Sequence, residues 1–140
     1  MYTSKIFVTV DNVVLRKNNG VYQILLIKRL NDPYKDFWAL PGGFVDENED
    51  LETAAKRELL EETTIRIFKV EQIGAYGTPN RDPRSHVVSV AYFSEVDLFT
   101  EAIAADDAKE VRWFNLNELP PTAFDHGLII NDAIYKFKIL

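Results

Sequence analysis

Residues 42–65 read GGFVDENEDLETAAKRELLEETTI and hold an acidic run that a surface helix would normally avoid. Residues 50–63 are predicted to form a helix, which carries Glu58, Glu61 and Glu62 close together. Glutamates one turn apart repel each other by a few tenths of a kcal/mol. The neighbouring cation Arg57 can pair with Glu61, four residues later. The stretch therefore predicts a helix that concentrates more negative charge than its neighbours neutralise.

The helical angle directs two of these glutamates toward the protein interior. At about 100° per residue, the apolar stripe that should face a sheet comprises Leu51, Ala54, Ala55 and Leu59. Glu58 and Glu62 fall within about 20° of Leu51, and Glu61 lies about 80° to one side. Burial and the negative end of the helix dipole both penalise carboxylates there. Bound Mg²⁺ or Mn²⁺ would relieve the penalty, because these cations take carboxylate ligands. The alternative is a solvated acidic face.

The same stretch resembles the Nudix box, G-x5-E-x7-R-E-U-x-E-E-x-G-U, where U is a bulky aliphatic residue. The matching positions are Gly43, Glu49, Arg57, Glu58, Leu59, Glu61, Glu62 and Ile65. Thr64 departs from the pattern, because it stands where the family has glycine. A glycine just past a helix adopts a positive φ cheaply, and a β-branched residue does so poorly. Either the helix ends differently here or about 1–3 kcal/mol of local strain is tolerated.

The resemblance implies an activity and a role for each matched residue. Nudix enzymes hydrolyse a nucleoside diphosphate linked to another group, X, through a water that divalent cations activate. Glu58 and Glu62 would be the principal ligands of Mg²⁺ or Mn²⁺, and Glu61 a further ligand or a residue that orients water. Arg57, together with Glu49, would orient a neighbouring glutamate. These four box residues, Arg57, Glu58, Glu61 and Glu62, are the predicted catalytic set.

Some members of the family take their general base from a downstream loop. The residues of this chain that could serve are Asp106, Asp107 and Glu110, in the stretch AADDAKEV. A solvated acidic loop without a catalytic role explains the stretch as well. The choice among the three residues, or in favour of a box glutamate, stays open.

The stretch GTPNRDPRSHVVSVAYF, residues 77–93, resembles the Nudix branch of ADP-ribose pyrophosphatases and the ADP-ribose-sensing repressors related to them. Arg81 and Arg84 are predicted to meet phosphates or a ribose, because the planar guanidinium suits phosphate oxygens. Pairing with Asp82 on the surface is the alternative. Arg29 is a weaker phosphate candidate. Gly42 and Gly43 would let backbone groups approach the ligand closely.

Five further side chains have a functional and a structural interpretation. Trp38, Phe44 and Tyr76 could stack on a base, but aromatic residues at strand ends are more often part of the core. His86 is a weak candidate for contact with the substrate. We expect His126 to start a helix or to pack.

The remaining patterns predict six strands and a second helix. Two strands form a hairpin around residues 18–20, and the others cover residues 37–43, 66–78, 87–98 and 110–115. A closing amphipathic helix follows Phe124, with Asp125 as its N-cap. Strands interrupted by two helices favour an α/β (α+β) fold. The resemblance specifies a Nudix-type α/β/α sandwich, with a mixed, partly antiparallel sheet between the helices.

The size and the charge of the chain exclude several classes of protein. Its 140 residues suit one domain, and it has no cysteine for a disulfide or thiolate site. The net charge of -6 disfavours nucleic acid as a partner. With no apolar run long enough for a signal peptide or a membrane span, we expect a cytoplasmic protein without a membrane partner. Homodimerisation, common among relatives, stays possible.

These observations favour a pyrophosphohydrolase whose substrate is ADP-ribose or a related nucleotide-sugar. The expected products are AMP and a sugar phosphate. One alternative within the enzyme class is a pyrophosphatase that removes damaged nucleoside triphosphates, because the box handles the diphosphate and other loops choose X. The alternative outside it is an ADP-ribose sensor without hydrolytic activity. The intact box carboxylates, the acidic charge and the lack of room for a second domain disfavour the sensor.

Overall fold

The computed structural model describes residue 3 and residues 5–139, which form one sheet and two helices. The elements in chain order are β1 (Ile6–Asn18), β2 (Val21–Arg29), β3 (Trp38–Ala39), β4 (Gly42–Phe44), α1 (Leu51–Thr63), β5 (Glu71–Tyr76), β6 (His86–Glu95), β7 (Ala108–Asn115) and α2 (His126–Lys136). The predicted strand over residues 37–43 is in fact two short strands. The predicted strand over residues 66–78 begins only at Glu71 and leaves Phe68 exposed.

The sheet has seven strands and mixes both kinds of pairing. Its central path runs β3-β2-β1-β6-β5, while β4 pairs with β1 and β7 pairs with β2. β1 and β6 run parallel from Ile6↔His86 to Leu15↔Glu95. The pairs β1–β2, β1–β4, β2–β3, β2–β7 and β5–β6 are antiparallel. The prediction of a mixed, partly antiparallel sheet is confirmed.

The hairpin of β1 and β2 opens into a fork beyond the pair Leu15↔Ile24. On one arm, β4 pairs with β1 around Val10↔Gly43. On the other arm, β3 pairs with β2 at Ile27↔Ala39. The chain crosses from β3 to β4 through Leu40 and Pro41, so residues 40–43 (the LPGG turn) span the open fork. This geometry places the two glycines between the arms.

The helices pack on opposite faces of the sheet, as the alternation of side chains along each strand requires. Val10 and Val14 of β1 belong to the core beneath α1, with Ala54, Ala55 and Leu59 of the helix. Val13 and Leu15 belong to the core beneath α2, with Ile129, Ile130 and Ala133. The predicted placement of a helix on either side of the sheet is confirmed.

Thr64 ends α1 in the left-handed conformation that the family glycine would adopt. Its φ is 63° and its ψ is 4°, and its N–H donates to the Leu60 carbonyl at 2.9 Å. A β-branched residue in this region is strained. Of the two outcomes expected from the sequence, this chain has the second, with an ordinary helix end and local strain.

The start of α2 differs from the prediction. Asp125 occupies the N-cap position, but its side chain makes no capping hydrogen bond. Both carboxylate oxygens instead accept from Arg81, at 2.8 and 2.6 Å. The predicted N-cap position is confirmed, but the capping hydrogen bond is missing because a charged partner on a distant loop competes for the carboxylate. No helix in the described part of the chain combines the length and the apolar composition that a membrane crossing requires.

Candidate active site

The fork opens into a cleft of about 390 Å³ that has an acidic wall and a basic wall. Glu58 and Glu62 of α1 line the acidic wall, and Arg29 and Arg84 stand among the other lining residues. A smaller recess of about 60 Å³ continues toward the start of α2 and ends at His126. The cleft thus gathers residues from the box, from β2 and from the loop before β6.

Glu62 is the deepest of the box glutamates, with 6% of its surface exposed. The Gly42 N–H donates to its Oε1 at 2.7 Å. Burial, and then repulsion from Glu58, Asp11 and Asp106, raise the pKa of Glu62 to about 9 despite the hydrogen bond from Gly42. Without a cation in the cleft, the surroundings of Glu62 therefore disfavour its charged form.

Glu58 lies between this buried carboxyl and the outer end of the cleft, with 14% of its side chain exposed. Burial raises its pKa, although Arg57 Nη1 donates to its Oε1 at 2.9 Å. The carboxylate passes directly over the LPGG turn. A Cβ on Gly43 would lie 2.6 Å from its Cδ, and one on Gly42 would lie 2.0 Å from the Val10 carbonyl oxygen. Both glycines are needed because these approaches leave no room for a side chain.

Arg57 forms a cluster with the outer glutamates. Its Nε and Nη2 donate to Glu49 at 2.6 and 2.9 Å, and Nη1 donates to the two oxygens of Glu61 at 3.0 and 3.1 Å. Hydrogen bonds from Arg57, followed by one from the Asp46 N–H, lower the pKa of Glu49 to about 2. Glu61 is 41% exposed and held by the arginine, so its side chain lies away from Glu62.

The donor chemistry of the acidic wall fits a hard divalent cation. Glu58 and Glu62 offer carboxylate oxygens on one side of the cleft, and burial raises the pKa of both because it disfavours their charged forms. Within residues 5–139, no three acidic or histidine side chains converge closely enough, as they stand, to hold an ion. Arg57 draws Glu61 aside in this arrangement.

The basic wall carries two of the three arginines predicted to bind substrate. Arg29 Nε donates to the Pro33 carbonyl at 2.8 Å, and its pKa is lowered by burial and then by the neighbouring Arg84 charge. Asp82 accepts from Arg84 Nε at 3.0 Å and from Nη2 at 2.7 Å, which matches the pairing considered as an alternative. The pair still leaves Arg84 43% exposed at the cleft. Two guanidinium groups that line the same cleft favour the binding of an anion there.

Arg81, the third predicted arginine, is buried rather than presented at the mouth of the cleft. Its side chain is 5% exposed and makes the bidentate pair with Asp125 that fastens its loop to the start of α2. It borders the inner recess but not the outer cleft. All three arginines therefore line the inner recess, and only Arg29 and Arg84 also line the outer cleft.

Of the three aromatic side chains considered for stacking on a base, only Phe44 lines the cleft. Trp38 packs in the core beneath α2, with its ring 4.8 Å from that of Phe114. Tyr76 donates its hydroxyl to Asp132 at 2.7 Å on the far side of the sheet. Phe44 lines the cleft, is 42% exposed and lies 5.4 Å from the Arg84 guanidinium. His86 lies 3.3 Å from the Gly77 carbonyl at the start of β6.

The downstream acidic residues are also divided. Glu110 belongs to β7 and pairs with Arg112 at 2.9 Å, away from the cleft. Asp106 and Asp107 line the cleft. The loop before them is fastened to the end of α1, because the Ala105 N–H donates to the Glu62 carbonyl at 3.0 Å. Of the two aspartates, Asp106 contributes to the raised pKa of both Glu58 and Glu62.

Three residues of the site were missed in the sequence. Asp11 and His126 line the inner recess, and the Phe124 ring lies 5.0 Å from the Arg29 guanidinium. Asp11 carried a signal, because a buried acidic residue interrupts the apolar strand FVTVDNVV. His126 and Phe124 carried none, since their neighbours in the cleft are about a hundred residues away along the chain.

Comparison with known proteins places these features in a family. The NUDIX domain profile matches residues 5–132. An ADP-ribose pyrophosphatase of Methanocaldococcus jannaschii is 48% identical over 126 residues, which cover 89% of this chain and 71% of the relative. An ADPR responsive transcriptional repressor, NtrR, of Acinetobacter baylyi is 37% identical over 134 residues. Those residues cover 93% of this chain and 54% of the repressor, so the chain spans about half the length of that relative.

Solved structures agree with the fold. A MutT/nudix family protein of Enterococcus faecalis aligns with a TM-score of 0.93 at 35% identity, over 99% of this chain and 64% of that one. The NUDIX domain of Shewanella oneidensis NrtR, in complex with ADP ribose, aligns at 0.90 and 31% identity, over 96% and 90%. A bifunctional NMN adenylyltransferase/ADP ribose pyrophosphatase of Francisella tularensis, complexed with AMP and a Mn ion, aligns at 0.82 and 31% identity, over 96% and 42%.

Proposed function

This chain belongs to the Nudix family, and from that membership we propose that it is a divalent-metal-dependent pyrophosphohydrolase that cleaves ADP-ribose. Water adds to one phosphorus of the diphosphate, the P–O–P bond breaks, and AMP and ribose 5-phosphate leave with the released proton. The 48% identity with an ADP-ribose pyrophosphatase supports this substrate over other nucleoside diphosphate derivatives.

The observation that carries the proposal is the opposition of two charged walls across one cleft. Glu58 and Glu62 face the cleft with raised pKa values, and Arg29 and Arg84 line the same cleft. A diphosphate is the kind of ligand that such walls accommodate, because its oxygens can meet both guanidinium groups and cations.

Nudix hydrolases generally use divalent metals, and in this chain Glu58 and Glu62 would hold Mg²⁺ or Mn²⁺. When bound, the cation would neutralise charge on the diphosphate and acidify water. Glu61 would join as a further ligand or orient water once Arg57 releases it, and Arg57 would keep Glu49 and Glu58 in place. Gly42 fixes Glu62 through its N–H.

The residues opposite the glutamates would bind and orient the substrate. Arg29 and Arg84 would hold the diphosphate oxygens, and Gly43 would leave room for the ligand against Glu58. Arg81 would act on the sugar side, from the inner recess that it borders. For the general base we propose Asp106, because it lines the cleft and its charge acts on both Glu58 and Glu62.

The experiment is a product assay with Mg²⁺ and then Mn²⁺. ADP-ribose, a nucleoside triphosphate and a dinucleoside polyphosphate are each incubated with the protein, and the products are separated by ion-exchange chromatography. We expect AMP and ribose 5-phosphate in equal amounts from ADP-ribose, and far slower turnover of the other two. Faster release of pyrophosphate from the triphosphate would favour the damaged-nucleotide alternative, and absence of any turnover would overturn the proposal.

The sensor is the second candidate, and the 37% identity with the A. baylyi repressor favours it. That relative also means that the expectation of no nucleic-acid partner is unsupported, and it stays a prediction from charge alone. Tight calorimetric binding of ADP-ribose without turnover in the product assay would establish the sensor. Cytoplasmic location, the absence of a membrane partner, a single domain and a possible homodimer likewise remain predictions.

A further inference from the structure

The LPGG turn is held from both faces of the sheet by buried polar side chains. On the α1 side, Asn12 Nδ2 donates to the carbonyl oxygens of Pro41, at 3.2 Å, and of Ala55, at 3.0 Å. The Asn12 N–H also donates to the Pro41 carbonyl, at 2.8 Å. On the α2 side, His126 reaches the turn through Leu40. The middle of the active-site fork is therefore fixed at two peptide groups, Ala39–Leu40 and Pro41–Gly42.

His126 contacts the turn with a defined ring nitrogen. The Leu40 N–H donates to His126 Nδ1 at 3.0 Å, so Nδ1 is unprotonated and the proton of the neutral ring lies on Nε2. Nε2 lies 3.4 Å from Asp11 Oδ1, and the hydroxyl of Ser89 donates to the other oxygen of Asp11. His126 is 4% exposed, so both contacts are shielded from bulk water.

Pro41 limits which residues of the LPGG turn can donate a backbone hydrogen bond. Pro41 has no N–H, so the flanking residues Leu40 and Gly42 supply the donors on either side of it. The Leu40 N–H donates to His126 Nδ1, and the Gly42 N–H donates to Glu62 Oε1. The proline ring also restricts φ between them, so the position of Leu40 constrains the Pro41–Gly42 peptide, whose carbonyl accepts from Asn12.

We propose that His126 is a positioning residue, whose Nδ1 holds Leu40 and thereby aims the Gly42 N–H at the Glu62 carboxylate. The structural part of this inference is independent of catalysis, and its effect on turnover rests on the proposed function. His126 was expected from the sequence to be a helix-start or packing residue, and packing alone does not account for a turn donor on one nitrogen and an acidic partner beside the other.

Two substitutions separate the contacts of the imidazole. His126→Asn keeps an acceptor near the position of Nδ1 and loses the group near Asp11. His126→Gln keeps a donor near the position of Nε2 and loses the acceptor for Leu40. Both replacements are polar and of moderate size, so each serves as the matched control for the other.

The first readout is the amide spectrum of protein labelled with ¹⁵N-glycine, which has six glycines. Assignment is completed with ¹³C-proline and ¹⁵N-glycine labels, because Pro41–Gly42 is the one Pro–Gly pair in the sequence. In the unsubstituted protein, we expect the Gly42 proton far downfield, because its N–H meets a carboxyl oxygen at 2.7 Å. His126→Gln should move this signal upfield, and His126→Asn should leave it near its original position.

The second readout is turnover of ADP-ribose. We expect His126→Gln to lower kcat by about 10–100-fold with little change in KM, as for other residues that orient a ligand of the reacting centre. His126→Asn should stay within about 3-fold of the unsubstituted protein, on the same reasoning. Equal losses in both variants would mean that packing or the Asp11 contact matters instead, and would overturn the proposal.

The remaining outcomes are also decisive. If His126→Gln does not fold, the unsubstituted protein is tested for a scalar coupling across the hydrogen bond between the Leu40 amide and Nδ1, and absence of this coupling overturns the proposal. If the protein does not hydrolyse ADP-ribose, the proposed function fails. The Gly42 signal then still decides the positioning role, because that signal does not depend on turnover.

Discussion

Two groups of carboxylates on and beside α1 share a sequence motif and differ in how their charge is balanced. In the outer group, Glu49 and Glu61 both accept hydrogen bonds from Arg57. In the inner group, Glu62 accepts a hydrogen bond from one backbone N–H and forms no ion pair with a cationic side chain among the described residues. Glu58 stands between the groups, in contact with Arg57 and on the wall of the cleft.

The pKa values report the difference directly. Arg57 lowers the pKa of Glu49 to about 2, whereas burial raises the pKa of Glu62 to about 9. Neutralisation of one group beside a buried, unbalanced group is what a site for a cation from solution would require. We therefore propose that the inner group is the main cation site and that Arg57 holds the outer group in place.

Substitution of one glutamate from each group should give the largest contrast. Glu62→Gln keeps the acceptor for Gly42 and removes the charge, and we expect kcat for ADP-ribose to fall by about 10²–10³-fold. Glu61→Gln should cost about 10-fold or less, because Glu61 is exposed and held by Arg57. Steady-state rates at saturating Mg²⁺ measure both. A Glu61 effect equal to that of Glu62 would remove the distinction between the groups.

The two groups should also act on stability at opposite ends of the pH scale. The pKa of Glu62 is raised, so the metal-free fold binds an extra proton between about pH 4.5 and pH 9 and loses stability as pH rises through that range. The loss is at most about 1.4 kcal/mol per pH unit. The pKa of Glu49 is lowered, so its contribution is present above its ordinary value and is lost as pH falls toward about 2.

Urea denaturation at several pH values, in the presence of a chelator, measures both trends. Glu62→Gln should flatten the dependence above pH 5, and Glu49→Gln should remove the slope on the acidic side and lower stability by a constant amount above it. Mg²⁺ should restore stability at pH 8 in the unsubstituted protein. Stability that is constant from pH 5 to pH 9 without metal would contradict the burial of an unbalanced carboxyl.

Gly43 offers a way to disturb the inner group from the turn. A Cβ there would lie 2.6 Å from the Glu58 carboxylate, so Gly43→Ala should displace it and lower kcat by about 10–100-fold. Gly127→Ala is the matched control, because the nearest atom to its Cβ is Thr122 Oγ1 at 3.5 Å. Circular dichroism establishes that both variants fold. Unchanged turnover in Gly43→Ala would show that Glu58 need not stay where it stands.

The smallest effect, a change in the free energy of unfolding, should come from a substitution at the C-terminal end of α1. Thr64 has a φ of 63°, so Thr64→Gly should relieve strain. The greater freedom of glycine in the unfolded chain offsets part of the gain, and about 0.5–1 kcal/mol of stability should remain. Thermal unfolding measures the change, and Thr64→Ala serves as the comparison. A loss of stability in Thr64→Gly would mean that the threonine side chain makes a compensating contact.

The contrast between the groups was only half visible in the sequence. The helix period placed Glu58 and Glu62 on the buried side and Glu61 to one side, which agrees with their exposures, and the spacing of Arg57 and Glu61 indicated their pair. Those inferences succeeded because they depend on neighbours within one helix.

The rest of the cleft depends on contacts that local patterns do not encode. The opening of the β1–β2 hairpin into a fork decides where Gly42 lies, and a strand pattern does not show where pairing stops. The bond between Leu40 and His126 joins residues 86 positions apart. Asp125 was assigned to a cap because the distant Arg81 could not be foreseen as its partner.

The most direct test of the cation in the inner group is an anomalous diffraction map of crystals grown with Mn²⁺. We predict a manganese peak within coordinating distance of the carboxylates of both Glu58 and Glu62, and its loss in Glu62→Gln crystals. A map with no peak at these carboxylates, or with manganese bound only at the outer group of Glu49 and Glu61, would contradict the account.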